Sequence, residues 1–294
     1  MKILLNAPYF PATMGKIDWP GELTRDKKEA EAWIVEPECP VTKKDLVEMV
    51  NLQVVITAST GDNHIDKEAC EKMGIEVFSL LDNRSALDEI RASSEMTFLL
   101  ILNALRRLDK CVQLKYWRRD EEYMRGHELY QKMVGLVGHG RIGKNIENWC
   151  RAFGAGVYWT DPYDKSSLFQ PSLVWLFSSC QILVICCTLT WETKGLITRE
   201  LMASMRQDAC LINTSRGEVI DESGLIEVAR VRDDLTFCLD VLSGEAENKQ
   251  VESPLLDMEN VVVTPHVCGL TYESNQKAAQ ISAQLLRDYI EGEK

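Results

Sequence analysis

The chain has 294 residues, 45% of them hydrophobic and 27% charged, with a formal net charge of −12. At about 100–200 residues per domain this length predicts two domains with separate cores. The acidic balance argues against non-specific nucleic-acid binding and against docking on anionic membranes, yet leaves an anionic substrate open, because local charge decides that.

In chain order, "KILLN" (2–6), "EAWIVE" (31–36) and "LQVVITAS" (52–59) read as strands. The N-terminal run is too short and too quickly interrupted by Pro8 to be a signal peptide. "HIDKEACEKMG" (64–74) reads as a helix ending at Gly74, "IEVFSLL" (75–81) as a strand, and "DNRSALDEIRA" (82–92) as a solvated loop. "SSEMTFLLILNALRRL" (93–108) is a long helix with Ser93 or Ser94 as N-cap. It is apolar on most faces, so a core, domain or subunit contact should bury it, and its apolar run is too short to span a bilayer.

After the charged loop 118–130 the pattern restarts. Strands "KMVGLVG", "AGVYWTD", "CQILVICCTL", "DACLINTS", "LTFCLDVL" and "NVVVTP" are interleaved with helices over 141–154 and 222–231, and a final helix covers 271–292. Strands alternating with helices predict parallel sheets, and the reset near residue 130 predicts two such systems. The ten cysteines are scattered through apolar surroundings with no CxxC pair and no Cys/His zinc spacing. The expectation is reduced, buried thiols in a cytoplasmic protein without a metal site.

"VGLVGHGRIGKNI" (134–146) holds Gly138-x-Gly140-x-x-Gly143 between a strand and a helix. That context makes it a dinucleotide fingerprint: Gly138 for the tight turn, Gly140 for close approach to a pyrophosphate, Gly143 for packing of helix on strand. The next strand ends in Asp161, 18 residues beyond Gly143, where an acid receives the ribose hydroxyls and repels a 2′-phosphate. The expected cofactor is NAD. His266, in "VVVTPHVCGLT" (261–271), stands just past a strand end, and taken alone it reads as structural.

The segments "STGDNHIDKEACEKMGIEV" (59–77), "GHELYQKMVGLVGHGRIGK" (126–144), "LTWETKGLIT" (189–198), "LINTSRGEVIDE" (211–222), "LDVLSGE" (239–245) and "NVVVTPHVCGLT" (260–271) together resemble the D-2-hydroxyacid dehydrogenase family, which includes 3-phosphoglycerate, glycerate and D-lactate dehydrogenases. The resemblance implies two Rossmann-like α/β domains: a flavodoxin-like substrate domain (1–102 plus 268–294) with an inserted NAD-binding domain (103–267). It implies an active site in the cleft between them and a homodimer formed through the cofactor domain and the long apolar helix. It assigns Arg216, Glu245 and His266 as the catalytic groups. A planar guanidinium suits a carboxylate, and an imidazole beside an acid suits proton exchange near neutrality. It also places Arg141 and Ile142 by the pyrophosphate, lines the dinucleotide with Thr193, Thr214 and Ser215, and sets Asp240 at the nicotinamide carboxamide. Ser59, Thr60 and Gly61 would offer backbone N–H groups to the substrate carboxylate.

From the residues alone, Arg216 could instead pair with Asp221 or Glu222, and the acid could be Glu247 rather than Glu245. Ala246 stands where the family usually has proline. Arg91, near the end of the 82–92 segment, could favour a substrate with a phosphate or second carboxylate, such as 3-phosphoglycerate. The reading is thus an NAD-dependent oxidoreductase of a D-2-hydroxy acid. Alternatives are a dehydrogenase of another small anion, such as formate or phosphite, or an NAD-sensing, corepressor-like binding protein.

Overall fold

The computed structural model describes residues 1–6, 17–113, 125–166, 171–245 and 252–292. The chain divides into two compact units, Met1–Arg91 with Leu270–Lys294, and Ala92–Gly269.

In the first unit, β1 (Lys2–Asn6), β2 (Glu22–Thr24), β3 (Ala32–Val35), β4 (Val54–Thr57) and β5 (Glu76–Ser79) form a parallel sheet in the order β2-β1-β3-β4-β5. This is the flavodoxin-like order, with its switch point between β1 and β3. The inner strands β3 and β4 are buried throughout, which explains their continuous apolar sequence. Helix α1 (Lys43–Glu48) and helix α2 (Lys67–Lys72) cover one face, where Leu46, Ala69 and Cys70 pack with Trp33, Val35 and Val55. Sequence reading passed over β2 and α1, although the Thr42–Asp45 capping box marks the start of α1.

Segment 82–92 is not the solvated loop expected of it. A 3₁₀ turn (Leu80–Asn83), capped by Ser79 and Asp82, runs into the short helix α3 (Arg84–Leu87), and Leu87 and Ile90 enter the core. The charged residues occupy the outer side of this turn, so polarity hid its two apolar anchors.

In the second unit a long helix, α4 (Ala92–Arg106), is followed by a short one, α5 (Leu108–Cys111). The compact units part at 91/92, where 102/103 was expected, so that α4 falls whole in the second. Leu100, Ile101, Ala104 and Leu105 pack against Leu136, Ile146, Val184, Ile212 and Cys238. The helix starts at Ala92, so Ser93 and Ser94 lie inside its first turn and do not cap it. The Ser94 hydroxyl accepts instead from Asn145 Nδ2 at 3.0 Å.

Strands β6 (Met133–Val137), β7 (Gly156–Thr160), β8 (Ile182–Ile185), β9 (Cys210–Asn213), β10 (Thr236–Leu239) and β11 (Val261–Val263) make a parallel sheet in the order β11-β10-β9-β8-β6-β7. Its other face is packed by α7 (Leu173–Ser179), α8 (Arg199–Ala203) and α9 (Glu222–Val231). α6 (Arg141–Ala152) joins β6 to β7. The switch point lies between β6 and β8, where ligands bind beyond the carboxyl ends of the strands. Strand β11 is the sheet edge, which is why its three valines are half-buried and not enclosed. Helix α10 (Tyr272–Glu291) returns to the first unit and packs Ala279, Ile281, Leu285 and Leu286 on the face opposite α1 and α2.

Candidate functional site

The turn after β6 has the geometry its glycines require. Gly138 has φ +97°, and a Cβ there would lie 2.8 Å from the Cys187 nitrogen at the end of β8. A Cβ on Gly143 would lie 2.6 Å from the Gly138 carbonyl oxygen, so only glycine lets α6 sit against the turn. At Gly140 the same test meets no atom within 4 Å: that side of the turn is open. Gly140 is also the N-cap of α6 and supplies no side-chain cap, which leaves the first-turn N–H groups near Arg141 and Ile142 aimed outwards. An open backbone face at a helix N-terminus fits a pyrophosphate.

Asp161 follows β7 and lies beside this turn. Its Oδ2 accepts the His139 backbone N–H at 2.7 Å, and its Oδ1 accepts those of Tyr163 and Asp164 at 2.8 and 3.1 Å. Thr193 closes the turn after β8: its hydroxyl donates to the Thr188 carbonyl at 2.6 Å and accepts the Thr190 N–H at 2.7 Å.

At the other strand ends, His266 and Glu245 meet. His266 Nδ1 is 2.6 Å from Glu245 Oε1, while Glu245 Oε2 accepts the Leu242 N–H at 3.1 Å. The hydrogen bond to Glu245 raises the His266 pKa above its ordinary value, against partial burial and the nearby Arg216 charge. Glu247 lies outside the described residues. His266 has φ +52°, a left-handed backbone rare for a residue with a side chain.

Asp240 holds that backbone in place. It is fully buried, and it accepts from the Thr264 hydroxyl, from the Val267 N–H at 3.0 Å and from the Cys268 N–H at 2.9 Å. Its carboxylate is thus committed to the histidine loop, a role the sequence did not suggest.

Arg216 follows β9 in extended conformation, half-buried, with Nη1 donating to the Ser215 carbonyl at 2.7 Å. Asn213 ties this loop: its Oδ1 accepts the N–H and hydroxyl of Ser215, and its Nδ2 donates to the Arg216 carbonyl, all at 3.0 Å. Thr214 is buried and turns its hydroxyl to Thr97 of α4 at 2.7 Å. Gly217 comes next, where a Cβ would lie 2.1 Å from the Leu242 carbonyl carbon. The backbones carrying Arg216 and Glu245 therefore touch, and glycine is what lets them.

In the first unit, Ser59, Thr60 and Gly61 form the loop beyond β4, at the carboxyl end of that sheet. Ser59 Oγ donates to the Gly61 carbonyl at 2.6 Å. Arg91 is exposed in the same unit. Among the described residues no group of three or more His, Cys, Asp or Glu is placed to hold a metal ion, and no helix is long and apolar enough to cross a membrane. All ten cysteines are free thiols. Burial pushes those of Cys150, Cys180, Cys238 and Cys268 up to about 12.

The second unit is thus a dinucleotide-binding α/β domain with an imidazole–carboxylate pair at its strand ends. Comparison with known proteins makes that class specific. Residues 96–268 match the family described as D-isomer specific 2-hydroxyacid dehydrogenase, NAD binding domain, and the chain belongs to that family. It is 30% identical over 280 residues to the D-3-phosphoglycerate dehydrogenase of Methanocaldococcus jannaschii, covering 92% of this chain and 52% of that protein. It is 32% identical over 295 residues to the glyoxylate reductase of Thermofilum pendens, covering 94% of this chain and 84% of that one. The chain spans about half the length of the D-3-phosphoglycerate dehydrogenases of Methanocaldococcus jannaschii, Bacillus subtilis and Archaeoglobus fulgidus. In fold it resembles the NAD⁺-bound 3-phosphoglycerate dehydrogenase of Entamoeba histolytica, with a TM-score of 0.83 at 23% identity over all of this chain and 96% of that one.

Proposed function

We propose that the chain is an NAD-dependent oxidoreductase that interconverts a 2-oxo acid and a D-2-hydroxy acid. The observation that carries this is the 2.6 Å contact between His266 and Glu245, in the unit that carries the dinucleotide turn. When bound, the nicotinamide cofactor would supply the hydride chemistry at substrate C2. Arg216 grips the substrate carboxylate with parallel N–H groups and fixes its orientation. Glu245 holds His266 Nδ1, which leaves Nε2 to exchange the proton at the substrate oxygen. In reduction, protonated His266 donates there; in oxidation, the neutral ring accepts. Gly138, Gly140, Gly143 and the start of α6 would hold the pyrophosphate, and Asp161 would receive the ribose.

The phosphoglycerate dehydrogenase and glyoxylate reductase relatives direct attention to small 2-oxo acids, with Ser59–Gly61 as carboxylate donors and Arg91 as a contact for a second anionic group. The test is purified protein with NADH and a panel of glyoxylate, hydroxypyruvate, pyruvate and phosphohydroxypyruvate, followed at the nicotinamide absorbance. Oxidation of NADH with at least one is expected. Tight NADH binding with no turnover on any would instead make the chain a cofactor-sensing protein. If Arg91 reads a phosphate, Arg91→Ala lowers kcat/KM for phosphohydroxypyruvate more than for pyruvate.

The proposal includes a cytoplasmic homodimer. On the second unit, Phe98 packs edge-on against Phe153 at 5.2 Å and against Trp149 at 5.8 Å, and Tyr130 lies over Gly154. Phe153, Tyr130 and Leu99 are 52%, 59% and 49% exposed, apolar side chains of the kind that subunits cover.

A further inference from the structure

The residue between the first two glycines of the dinucleotide turn is His139, and nothing in the motif calls for an imidazole there. Its ring is 4% exposed and stacks on Trp159 of β7 at 4.0 Å. Nδ1 is 2.7 Å from Asp164 Oδ2, and Nε2 is 2.7 Å from Glu147 Oε2. Arg151 holds the other oxygen of Glu147 at 2.8 Å, and Lys144 approaches Asp164 at 3.6 Å. An apolar side chain would also pack on Trp159, but it would fix neither acid. A buried ring with both nitrogens engaged is a specifying arrangement.

What it specifies is the turn after β7. The His139 backbone N–H binds Asp161 and its ring binds Asp164, while Asp161 accepts the Asp164 N–H and closes the turn. The two carboxylates are therefore held within the span of a single histidine residue, beside the open face of Gly140. Hydrogen bonds from Ser166, and then His139, keep the Asp164 carboxyl well below the usual carboxylate range.

We propose that His139 is a positioning residue that holds Asp164 beside Asp161 as a second carboxylate of the adenosine-ribose subsite, so that two acids share the rejection of a 2′-phosphate. This rests on the reading of the turn as the NAD site. Lys144 at 3.6 Å offsets part of the Asp164 charge, but the remainder adds to the repulsion of a phosphate, and removing Asp161 alone leaves it in place.

The test is direct binding of NADH and NADPH, by calorimetry or nicotinamide fluorescence, to the parent, Asp161→Ser, Asp164→Asn, the double variant and His139→Leu. The parent is expected to prefer NADH, and Asp161→Ser to retain that preference. Asp164→Asn is expected to lower the ratio of the NADPH to the NADH Kd about tenfold, and the double variant to lower it further. His139→Leu is expected to lower the ratio by a similar factor, and to add nothing in the Asp164→Asn background. A purely structural role would weaken both cofactors and leave the ratio unmoved. Intact NADH binding with an unchanged ratio in Asp164→Asn, a variant that leaves the buried ring in place, overturns the proposal alone. A parent that binds neither cofactor overturns it together with the NAD site.

Discussion

His266 gains its chemistry from two neighbours that do different things. Glu245 sets its charge, and Asp240 sets its backbone, holding the left-handed turn from Thr264 to Cys268. Because Glu245 raises the His266 pKa, the protonated ring persists to higher pH than in a free histidine. Reduction needs that proton, so its rate holds below the raised pKa and falls as pH rises through it; oxidation shows the opposite limb. In Glu245→Gln the raising partner is lost, so both limbs move to lower pH, which pH profiles of kcat/KM in each direction would show. His266→Ala is expected to lower kcat by about 10²–10⁴ while far-UV circular dichroism stays unchanged. Arg216→Lys keeps the charge but loses the planar fork, and should raise the KM for the 2-oxo acid more than it lowers kcat.

Between elements, glycines decide what can approach what, and the structure separates two kinds. Gly217 lies against the backbone of Leu242, so Gly217→Ala must part the loops that carry Arg216 and Glu245. It should cost about 2–4 kcal/mol by urea denaturation and take activity with it. Gly140 faces open space, so Gly140→Ala should leave the denaturation midpoint within about 0.5 kcal/mol of the parent while weakening NADH binding. Equal loss of stability in both variants would show that the Gly140 face is packed against protein and not open to a ligand.

For the whole molecule, the exposed Phe153 and Leu99 on the cofactor-binding unit bear on assembly. Phe153→Glu with Leu99→Glu should convert a dimer to monomers in sedimentation velocity, because burying two carboxylates in an apolar interface is unfavourable. A sedimentation coefficient unchanged from the parent would place the subunit contact elsewhere. The thiols give a second check on the intact fold. Those of Cys150, Cys180, Cys238 and Cys268 should react with a disulfide reagent only on unfolding, since burial suppresses the thiolate.

The sequence by itself determined the two parallel-sheet systems, the glycine turn with Asp161, and the candidates Arg216, Glu245 and His266. The first two are written in local patterns of period, turn chemistry and fixed spacing along one chain; the three candidates rest on the resemblance of their motifs to a known family. Tertiary structure alone decided the domain boundary, because α4 is apolar on most faces and only packing shows which core claims it. It alone brought Glu245 to His266, engaged Asp240 with the histidine loop, and bound His139 to Asp164 and Glu147. Those contacts join residues 8 to 28 positions apart, and three of the four cross from one strand end to another. No local pattern encodes such a contact, because it exists only once the sheet order has set those ends side by side.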